Sequence, residues 1–193
     1  MKNLLASLLL FAGISTGANA AIILSLSAEN ENLSLGEDLV LNISASTIDG
    51  SAFTNFGLDL FQDATQLFAS DMLVELGAMF TPFISTDGDA LSGSVPAPAV
   101  PFMPFAVSGD NILLASITIS GLNVGDYLFS VGADQGIDPN EGFFNGDPLT
   151  PIFGLKMADF SNAQLEVSVS EVSAPASIAL VSLALLGLLA RRK

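Results

Sequence analysis

The side chains best suited to chemistry lie in one short acidic segment, which reads Asp-Gln-Gly-Ile-Asp-Pro-Asn-Glu-Gly. Asp134, Asp138, Asn140 and Glu141 supply carboxylate and amide oxygens there, and the glycines allow sharp turns of the backbone. Calcium takes about six to eight such oxygens in a flexible geometry, although the spacing differs from that of an EF-hand loop. The sequence therefore marks these four residues as a candidate calcium site.

Asp87 and Asp89, on either side of Gly88, form a second and weaker candidate for the same ion. Both segments also have a simpler interpretation. Aspartate, asparagine and glycine are common in solvent-exposed turns, where they serve only the backbone geometry. Calcium is therefore the one cofactor that the sequence leaves open, and no other is expected.

The composition excludes most enzyme chemistry. The chain contains no histidine and no cysteine, so nucleophile pairs with histidine and zinc sites of the His/Cys kind are impossible. It also lacks the G-x-x-x-x-G-K-[ST] loop that holds phosphates. Paired carboxylates can hydrolyse glycosides, but one tyrosine and no tryptophan provide few aromatic platforms for a sugar. We therefore expect a protein that is not an enzyme.

The charge of the central region is strongly negative. Four of the five basic residues lie at the two ends of the chain, and Lys156 alone faces 20 acidic residues within 21–171, a formal charge of −19. Nucleic-acid binding needs a basic face and is excluded. An anionic lipid or a polyanionic sugar is disfavoured as a direct partner for the same reason. Such a surface suits a salty medium, in which divalent cations or salt relieve the repulsion.

The elements that must position these residues alternate apolar and polar side chains with a period of two, which is typical of half-buried β-strands. Between Leu39 and Ser46, for example, Leu39, Leu41, Ile43 and Ala45 fall on one side, which we expect to face the core. Turns rich in glycine and aspartate separate such segments. The predicted strands are 22–28, 39–46, 56–60, 111–120, 127–133 and 163–170.

Three segments are less regular. Residues 67–79 fit a short helix or an irregular strand. Residues 85–104 contain four prolines, which cannot donate hydrogen bonds to a β-ladder, so this segment is predicted to be a long loop or a sheet edge. A loop rich in glycine, aspartate and asparagine is predicted for 134–148.

Together these strands predict an all-β fold, a single β-sandwich spanning residues 21–171. Without cysteine, this domain must be stable without disulfides. Its order of strands resembles that of cohesin-like, immunoglobulin-type or jelly-roll sandwiches. The resembling segments are LSLGEDLVLNISAS at 33–46, NFGLDLFQDATQL at 55–67 and ILLASITISGLNVGDYLFSVGAD at 112–134. The resemblance implies a sandwich fold and carries no binding residues over to this chain.

The N-terminal segment 1–20 has the features of a secretory signal peptide. Lys2 gives a positive start, an apolar run follows, and Ala18-Asn19-Ala20 forms an A-x-A cleavage motif. The apolar run is too short to span a membrane. We predict a signal helix that directs the chain to the Sec export machinery and is cut between Ala20 and Ala21.

The C-terminal segment 172–193 has the features of a membrane anchor. Its apolar run ends in a basic cluster, Arg191-Arg192-Lys193. A helix over 172–190 would be about 28 Å long, close to the roughly 30 Å hydrocarbon core of a bilayer. Such a transmembrane helix would place the basic cluster on the cytoplasmic side. The alternative is an apolar helix packed against the protein's own core, but a core helix normally carries one polar face.

This three-part tail resembles the PEP-CTERM sorting signal of Gram-negative bacteria. Its lead is Val172-Ser173-Ala174-Pro175, in which Val172 and Pro175 match the usual Val-Pro-Glu-Pro, whereas Ser173 and Ala174 differ from it. The resemblance implies recognition by an exosortase-type enzyme at the inner membrane. It further implies removal of the tail and transfer to the cell surface or the exopolysaccharide matrix.

Two classes of function follow from these expectations. The first is an exported, non-enzymatic cell-surface or exopolysaccharide-matrix protein, with the exopolysaccharide or another surface protein as partner. The second is a cohesin-like protein-binding or carbohydrate-binding module, held in the periplasm by a plain C-terminal anchor. The near absence of tyrosine and tryptophan counts against a lectin and favours the first class.

Overall fold

The computed structural model describes residues 21–48, 50–83, 88, 91–96, 106–133, 141–145, 154–156 and 158–172. Within these ranges the chain forms strands and turns and contains no helix, which confirms the predicted all-β fold. The strands are β1 Ile22–Ala28, β2 Asn32–Ser34, β3 Leu39–Thr47, β4 Asn55–Gly57, β5 Asp59–Gln62, β6 Thr65–Gln66, β7 Leu73–Leu76, β8 Thr81–Pro82, β9 Ser92–Ser94, β10 Ile112–Ile119, β11 Gly125–Gly132, β12 Gly142–Asn145, β13 Gly154–Lys156, β14 Ala158–Asn162 and β15 Gln164–Ser170.

These strands form three five-stranded sheets. Sheet A has the order β14-β1-β3-β10-β7, sheet B the order β2-β15-β11-β5-β6, and sheet C the order β13-β12-β4-β9-β8. Two neighbouring pairs run parallel, β1 with β14 and β2 with β15. The last two strands of the described chain therefore each pair with one of the first two.

One hydrophobic core joins the three sheets. In sheet A, buried and half-buried residues alternate along β3: the core-facing residues are buried, and the residues between them are half-buried on the opposite side. The predicted inward set of β3 is thereby confirmed. Core residues from the three sheets include Ile22, Leu24, Leu41, Ile43, Ile117, Leu60, Phe129, Val167, Phe56 and Phe143. Sheet A thus packs with one face against sheets B and C, as in a β-sandwich.

Sheets B and C meet where a single residue, Leu58, separates β4 from β5. Beside this junction, Phe53 lies edge-on to Phe143 with ring centroids 4.9 Å apart, and Phe56 lies edge-on to Phe80 at 5.0 Å. Edge-to-face packing brings the positive ring edge against the negative ring face, which stabilises such pairs beyond their burial. The aromatic cluster therefore fixes sheet C against the rest of the core.

The irregular segment 67–79 contains no helix. Asp71 accepts a hydrogen bond from the backbone of Phe68 at 3.0 Å and closes a turn, after which β7 forms an edge strand on β10. At the end of β7 the backbone of Gly77 lies so close to Leu113 that a Cβ would overlap the Leu113 carbonyl oxygen. Of the two predicted alternatives, the structure therefore has a short strand.

Two strands occur where the sequence predicted loops. β9 falls within 85–104 and pairs with β4 on one side and β8 on the other, so it is not a sheet edge. It ends before Pro96, the first proline of the segment, and its N–H groups are therefore available to both neighbours. β12 falls within 134–148 and lies between β4 and β13. In both segments, the turn-forming residues favoured the prediction of a loop, and the short strand beside them was not predicted.

Candidate functional site

Of the candidate calcium ligands, the structure describes Glu141 alone. Asp134, Asp138 and Asn140 lie outside the described residues, as do Asp87 and Asp89 of the weaker candidate. The Glu141 side chain is 3% exposed and stands directly before β12. A carboxylate at the start of a central strand is costly to bury, so its position is not that of an ordinary solvent-exposed turn.

A second buried carboxylate, Asp59, was not singled out by the sequence analysis. Its side chain is 0% exposed, and its Oδ1 accepts a hydrogen bond from Nε2 of Gln66 at 2.6 Å. The sequence pattern placed Asp59 on the outward side of a strand, between the core residues Leu58 and Leu60. The structure buries both sides of this strand. The feature of the sequence that could have indicated its burial was the position of an acidic residue between two leucines.

Both carboxylates lie near the points at which the chain leaves sheet B and enters sheet C. Asp59 lies opposite Gly132 in the β5–β11 ladder, and Gly57 lies opposite Gly142 in the β4–β12 ladder. The chain therefore leaves sheet B at Gly132 and enters sheet C at Gly142. Both residues pair with the same short stretch, Gly57 to Asp59. Glu141 immediately precedes Gly142, so Asp59 lies beside the point of departure from sheet B and Glu141 beside the point of entry into sheet C.

Burying two carboxylates requires compensation by hydrogen bonds or positive charge. The Gln66 amide supplies one such hydrogen bond. The sequence offers a single basic residue between 21 and 171, Lys156. Among the side chains described here, no three potential ligands lie close enough together to hold a metal ion. A complete metal site would therefore need oxygens from the acidic segment itself.

The outward side of sheet B carries a different feature, a shallow acidic groove. Its volume is about 490 Å³, and its acidic lining consists of Glu31, Asp63, Asp126 and Glu166. Asp63 is held in place by Leu128, since its backbone N–H donates to the Leu128 carbonyl and its Oδ1 accepts from the Leu128 N–H, both at 2.9 Å. This groove favours cations and repels anionic partners.

The only tyrosine of the chain also borders the acidic groove. The Tyr127 hydroxyl donates a hydrogen bond to the Asn123 carbonyl at 2.9 Å, and its ring packs beside Phe129. These contacts fix the Tyr127 side chain at the border of the groove.

The outward side of sheet A is nearly free of charge. Strands β1, β3 and β10 contain no charged residue at all. The charged residues of sheet A lie only on its flanking strands, Glu75 on β7 and Asp159 on β14. We define the hydroxyl face by its small polar side chains, which are Ser25, Ser27, Asn42, Ser44, Ser116 and Thr118. The two outer surfaces of the sandwich therefore differ in character, one neutral and one acidic.

At the margin of the hydroxyl face, Asp159 lies opposite Ile23 in the parallel β1–β14 pair. The backbone N–H of Ser161 donates to Oδ1 of Asp159 at 2.9 Å. This bond, together with one from the Ser161 hydroxyl, lowers the pKa of Asp159 because both stabilise the charged carboxylate. Asp159 therefore stays ionised to a lower pH than an ordinary aspartate.

The export and sorting motifs lie almost wholly outside the described residues. Ala18, Ala20, Ser173, Ala174, Pro175 and the basic cluster Arg191, Arg192 and Lys193 all belong to the undescribed ends. Ala21 is described, and its carbonyl accepts a hydrogen bond from Ile48 at 3.0 Å. Val172 is described and exposed. The described ranges, which exclude the apolar tail, contain no helix long and apolar enough to cross a bilayer.

Comparison with known proteins reveals a likeness of fold. No protein-family model matches the chain, and no curated protein matches it in sequence. Among solved structures, the third ScaB cohesin of R. flavefaciens, in complex with a group 1 dockerin, is similar with a TM-score of 0.50 and 11% identity. The match covers 80% of this chain and 99% of that one.

A cohesin module from a family 33 glycoside hydrolase of Clostridium perfringens is similar with a TM-score of 0.49 and 9% identity. This second match covers 80% of this chain and the whole of the other. At such low identity the likeness concerns the fold and not the binding residues. The chain is an all-β protein with a cohesin-like β-sandwich.

Proposed function

We propose that this protein is an exported, non-enzymatic component of the cell surface or the exopolysaccharide matrix. Its tail holds it transiently at the inner membrane, where an exosortase-type enzyme processes it. The single observation that carries this proposal is the position of the sandwich in the chain. Among the described residues, its strands begin at Ile22 and end at Ser170, next to the two predicted processing points.

The hydrogen bonds at both ends of the sandwich support the proposed boundaries between the sandwich and the two terminal segments. The Ala21 carbonyl binds the backbone of Ile48, and the Ser170 carbonyl accepts from Leu35 at 2.8 Å. The fold therefore uses the chain from the first residue after the predicted signal cleavage. Two residues after Ser170, Val172 is exposed and accessible to a processing enzyme.

The absence of histidine and cysteine from the whole sequence supports a non-enzymatic role. The acidic groove is shallow and open, and its tyrosine is engaged with the backbone. A polyanionic exopolysaccharide would be repelled by this groove, so a neutral polysaccharide or another surface protein is the expected partner.

A second candidate function is a binding module held in the periplasm by a plain C-terminal anchor. The fold favours it, because one similar structure is a cohesin in complex with a dockerin. In that case the tail remains uncut, and the sandwich binds a protein or a carbohydrate while it stays at the inner membrane.

We further propose that Asp134, Asp138, Asn140 and Glu141 bind calcium, with the buried Asp59 beside the point at which the chain leaves sheet B. Carboxylate and amide oxygens are suitable ligands for this ion. Bound calcium would also offset part of the negative charge of these carboxylates.

Measurement of intact mass separates the two candidate functions. A chain recovered from cell-surface material that begins at Ala21 and ends near Pro175 supports export with tail removal. A chain that still ends at Lys193 and occurs only in the inner membrane contradicts the sorting proposal and favours the periplasmic module.

A further inference from the structure

We propose that the end of the sandwich from which the tail emerges rests directly on the lipid surface, with Leu35, Val124 and Val172 inserted among the headgroups. We call these three residues the apolar rim. The inference rests on the anchored stage of the proposed function, which both candidate functions share. It adds a binding surface on the folded domain, and its partner is a bilayer with zwitterionic headgroups.

The pairing of β15 brings the apolar rim together. β15 ends at Ser170, whose carbonyl accepts a hydrogen bond from the backbone of Leu35 at 2.8 Å. Val124 directly precedes β11, whose first residue lies opposite the penultimate residue of β15. Val172 follows two residues after Ser170. The three apolar residues therefore surround the point at which the chain leaves the sandwich.

The side chains of the apolar rim are exposed although they adjoin the core. Leu35 is 46% exposed, Val124 51% and Val172 63%. Leu33 and Leu122, two residues before the first two of these, are buried in the core. Single exposed apolar residues are ordinary on a protein surface. Several around one point indicate a surface that meets an apolar partner.

The length of the tail brings this end of the sandwich to the membrane. A helix over 172–190 would be about 28 Å long, so all of it is needed to cross a hydrocarbon core of roughly 30 Å. Val172 then lies at the boundary of the hydrocarbon core, and only Glu171 separates it from β15. Two extended residues cover about 7 Å. Because each headgroup layer is about 5–8 Å thick, the end of β15 lies within it.

Acidic side chains beside the apolar rim determine which headgroups suit it. Glu37 and Asp38 follow Leu35 in one exposed turn, and Glu171 directly precedes Val172. Anionic headgroups would be repelled by these carboxylates. A zwitterionic headgroup with an ammonium group, such as that of phosphatidylethanolamine, instead donates hydrogen bonds that carboxylates accept. The combination of apolar and acidic residues therefore fits a zwitterionic lipid surface.

The processing enzyme is the alternative occupant of this end of the sandwich. Its predicted cleavage point near Pro175 lies only a few residues beyond Ser170, so the enzyme must also approach the apolar rim. That contact lasts for a single reaction, whereas lipid surrounds the tail from its insertion until its cleavage. Lipid is therefore the partner that this end meets first and for longest.

Leu113 provides a matched control for the apolar rim. It is 42% exposed, close to the value for Leu35. It lies six residues before Ile119, where β10 ends and the chain turns towards Val124. At about 3.4 Å per residue, Leu113 is about 20 Å further from the exit point of the tail. An effect of the membrane should therefore reach the apolar rim and not Leu113.

Because the chain contains no tryptophan, a single introduced tryptophan reports on its own surroundings. We would prepare the full chain with Leu35→Trp, Val124→Trp, Val172→Trp or Leu113→Trp and recover it from membranes. Each variant is reconstituted into phosphatidylethanolamine vesicles that contain phosphatidylcholine brominated near the top of its acyl chains. Bromine quenches tryptophan fluorescence on contact, so the quenched fraction measures proximity to the hydrocarbon boundary.

We expect strong quenching for Val172→Trp. Quenching for Leu35→Trp and Val124→Trp should exceed that for Leu113→Trp at least about threefold, because the headgroup layer reaches only the exit end of the sandwich. Replacing part of the phosphatidylethanolamine with phosphatidylglycerol at low salt should reduce quenching for Leu35→Trp and Val124→Trp at least about twofold, through repulsion of the carboxylates. Val172→Trp should be unaffected, since the membrane span holds it in place.

The outcomes separate this proposal from the proposed function. An unquenched Val172→Trp would overturn the membrane span and the anchored stage of the proposed function. Quenching for Val172→Trp, with Leu35→Trp and Val124→Trp no higher than Leu113→Trp, would overturn the apolar rim alone. Equal quenching in anionic vesicles would overturn the assignment to zwitterionic lipid. Protection of Leu35→Trp from aqueous acrylamide only when an exosortase-type enzyme is added would overturn the proposal in favour of an enzyme-docking surface.

Discussion

Gly93 lies directly opposite Phe56 across the β4–β9 pair, and the Phe56 ring covers the space where a Gly93 side chain would stand. A Cβ on Gly93 would lie 2.6 Å from Cε1 and 2.8 Å from Cζ of Phe56. The same Phe56 ring packs edge-on against Phe80. Glycine at this position therefore allows the aromatic cluster to close over sheet C.

Gly93→Ala should destabilise the protein by about 1–3 kcal/mol, because the added methyl group displaces a fully buried ring. The free energy of unfolding in urea measures the loss. Ser94→Ala, at the next position of β9, is the matched control; it removes only the 3.3 Å hydrogen bond from the Ser94 hydroxyl to the Val95 carbonyl and should cost about 0.5–1 kcal/mol. If the ring is the cause, Phe56→Leu should cost less in the Gly93→Ala background than alone. Equal stability of the Gly93→Ala and wild-type chains would contradict the contact.

Replacing Gln66 with leucine should destabilise the protein by about 1–3 kcal/mol. The change removes a 2.6 Å hydrogen bond to the buried Asp59 carboxylate. A buried carboxylate that loses a hydrogen-bond donor destabilises the folded state. Thr65→Ala, at the exposed neighbouring position of β6, should change the stability by less than about 0.5 kcal/mol. Denaturant titration of both variants provides the test, and similar midpoints would refute the assigned role of Gln66.

Calcium should raise the melting temperature of the wild-type chain. An ion present at about 100 times its dissociation constant stabilises the folded state by about 2.7 kcal/mol, or roughly 5–10 °C for a domain of this size. Because the domain is strongly acidic, sodium chloride at matched ionic strength must accompany each measurement to separate binding from screening.

Glu141→Gln should abolish most of this calcium effect, whereas Asp126→Asn should leave it unchanged. Asp126 lies in the acidic groove on sheet B, so its replacement removes the same charge from a different surface. A melting temperature that is the same in calcium and in chelator would eliminate the calcium proposal.

Asp159 should contribute to stability at neutral pH and lose that contribution in acid. Its pKa is lowered from the ordinary 3.8, chiefly by the backbone hydrogen bond from Ser161. A carboxyl group with a lowered pKa stabilises the folded state above its ordinary pKa, and the effect disappears as the pH falls through the folded value. The melting temperatures of wild type and Asp159→Asn should therefore differ at pH 6, and the difference should shrink as the pH falls below the ordinary 3.8 and through the lower folded value. A difference that is constant with pH would contradict this assignment.

The periodic parts of the fold could be predicted from the sequence, because alternating side chains directly encode a half-buried strand. The strand predicted at 22–28 has those bounds in the structure, and the four core residues of β3 are buried. β9 and β12 were missed because each has only three or four residues, which is too few to show a period. The burial of Asp59 was missed because the alternating pattern predicts a strand with one buried side. In the tertiary fold the other side of β5 is buried as well.

The parallel pairing of β1 with β14 and of β2 with β15 has a consequence for folding. More than 100 residues separate the two members of each pair, so neither can form until nearly the whole domain has been synthesised. Contacts so distant in sequence slow folding, because the loop entropy is lost before the contacts form. During that interval β1, an apolar strand without charge, has one unpaired edge exposed to other nascent chains. We therefore expect the chain to be most prone to aggregation before β14 and β15 have been synthesised.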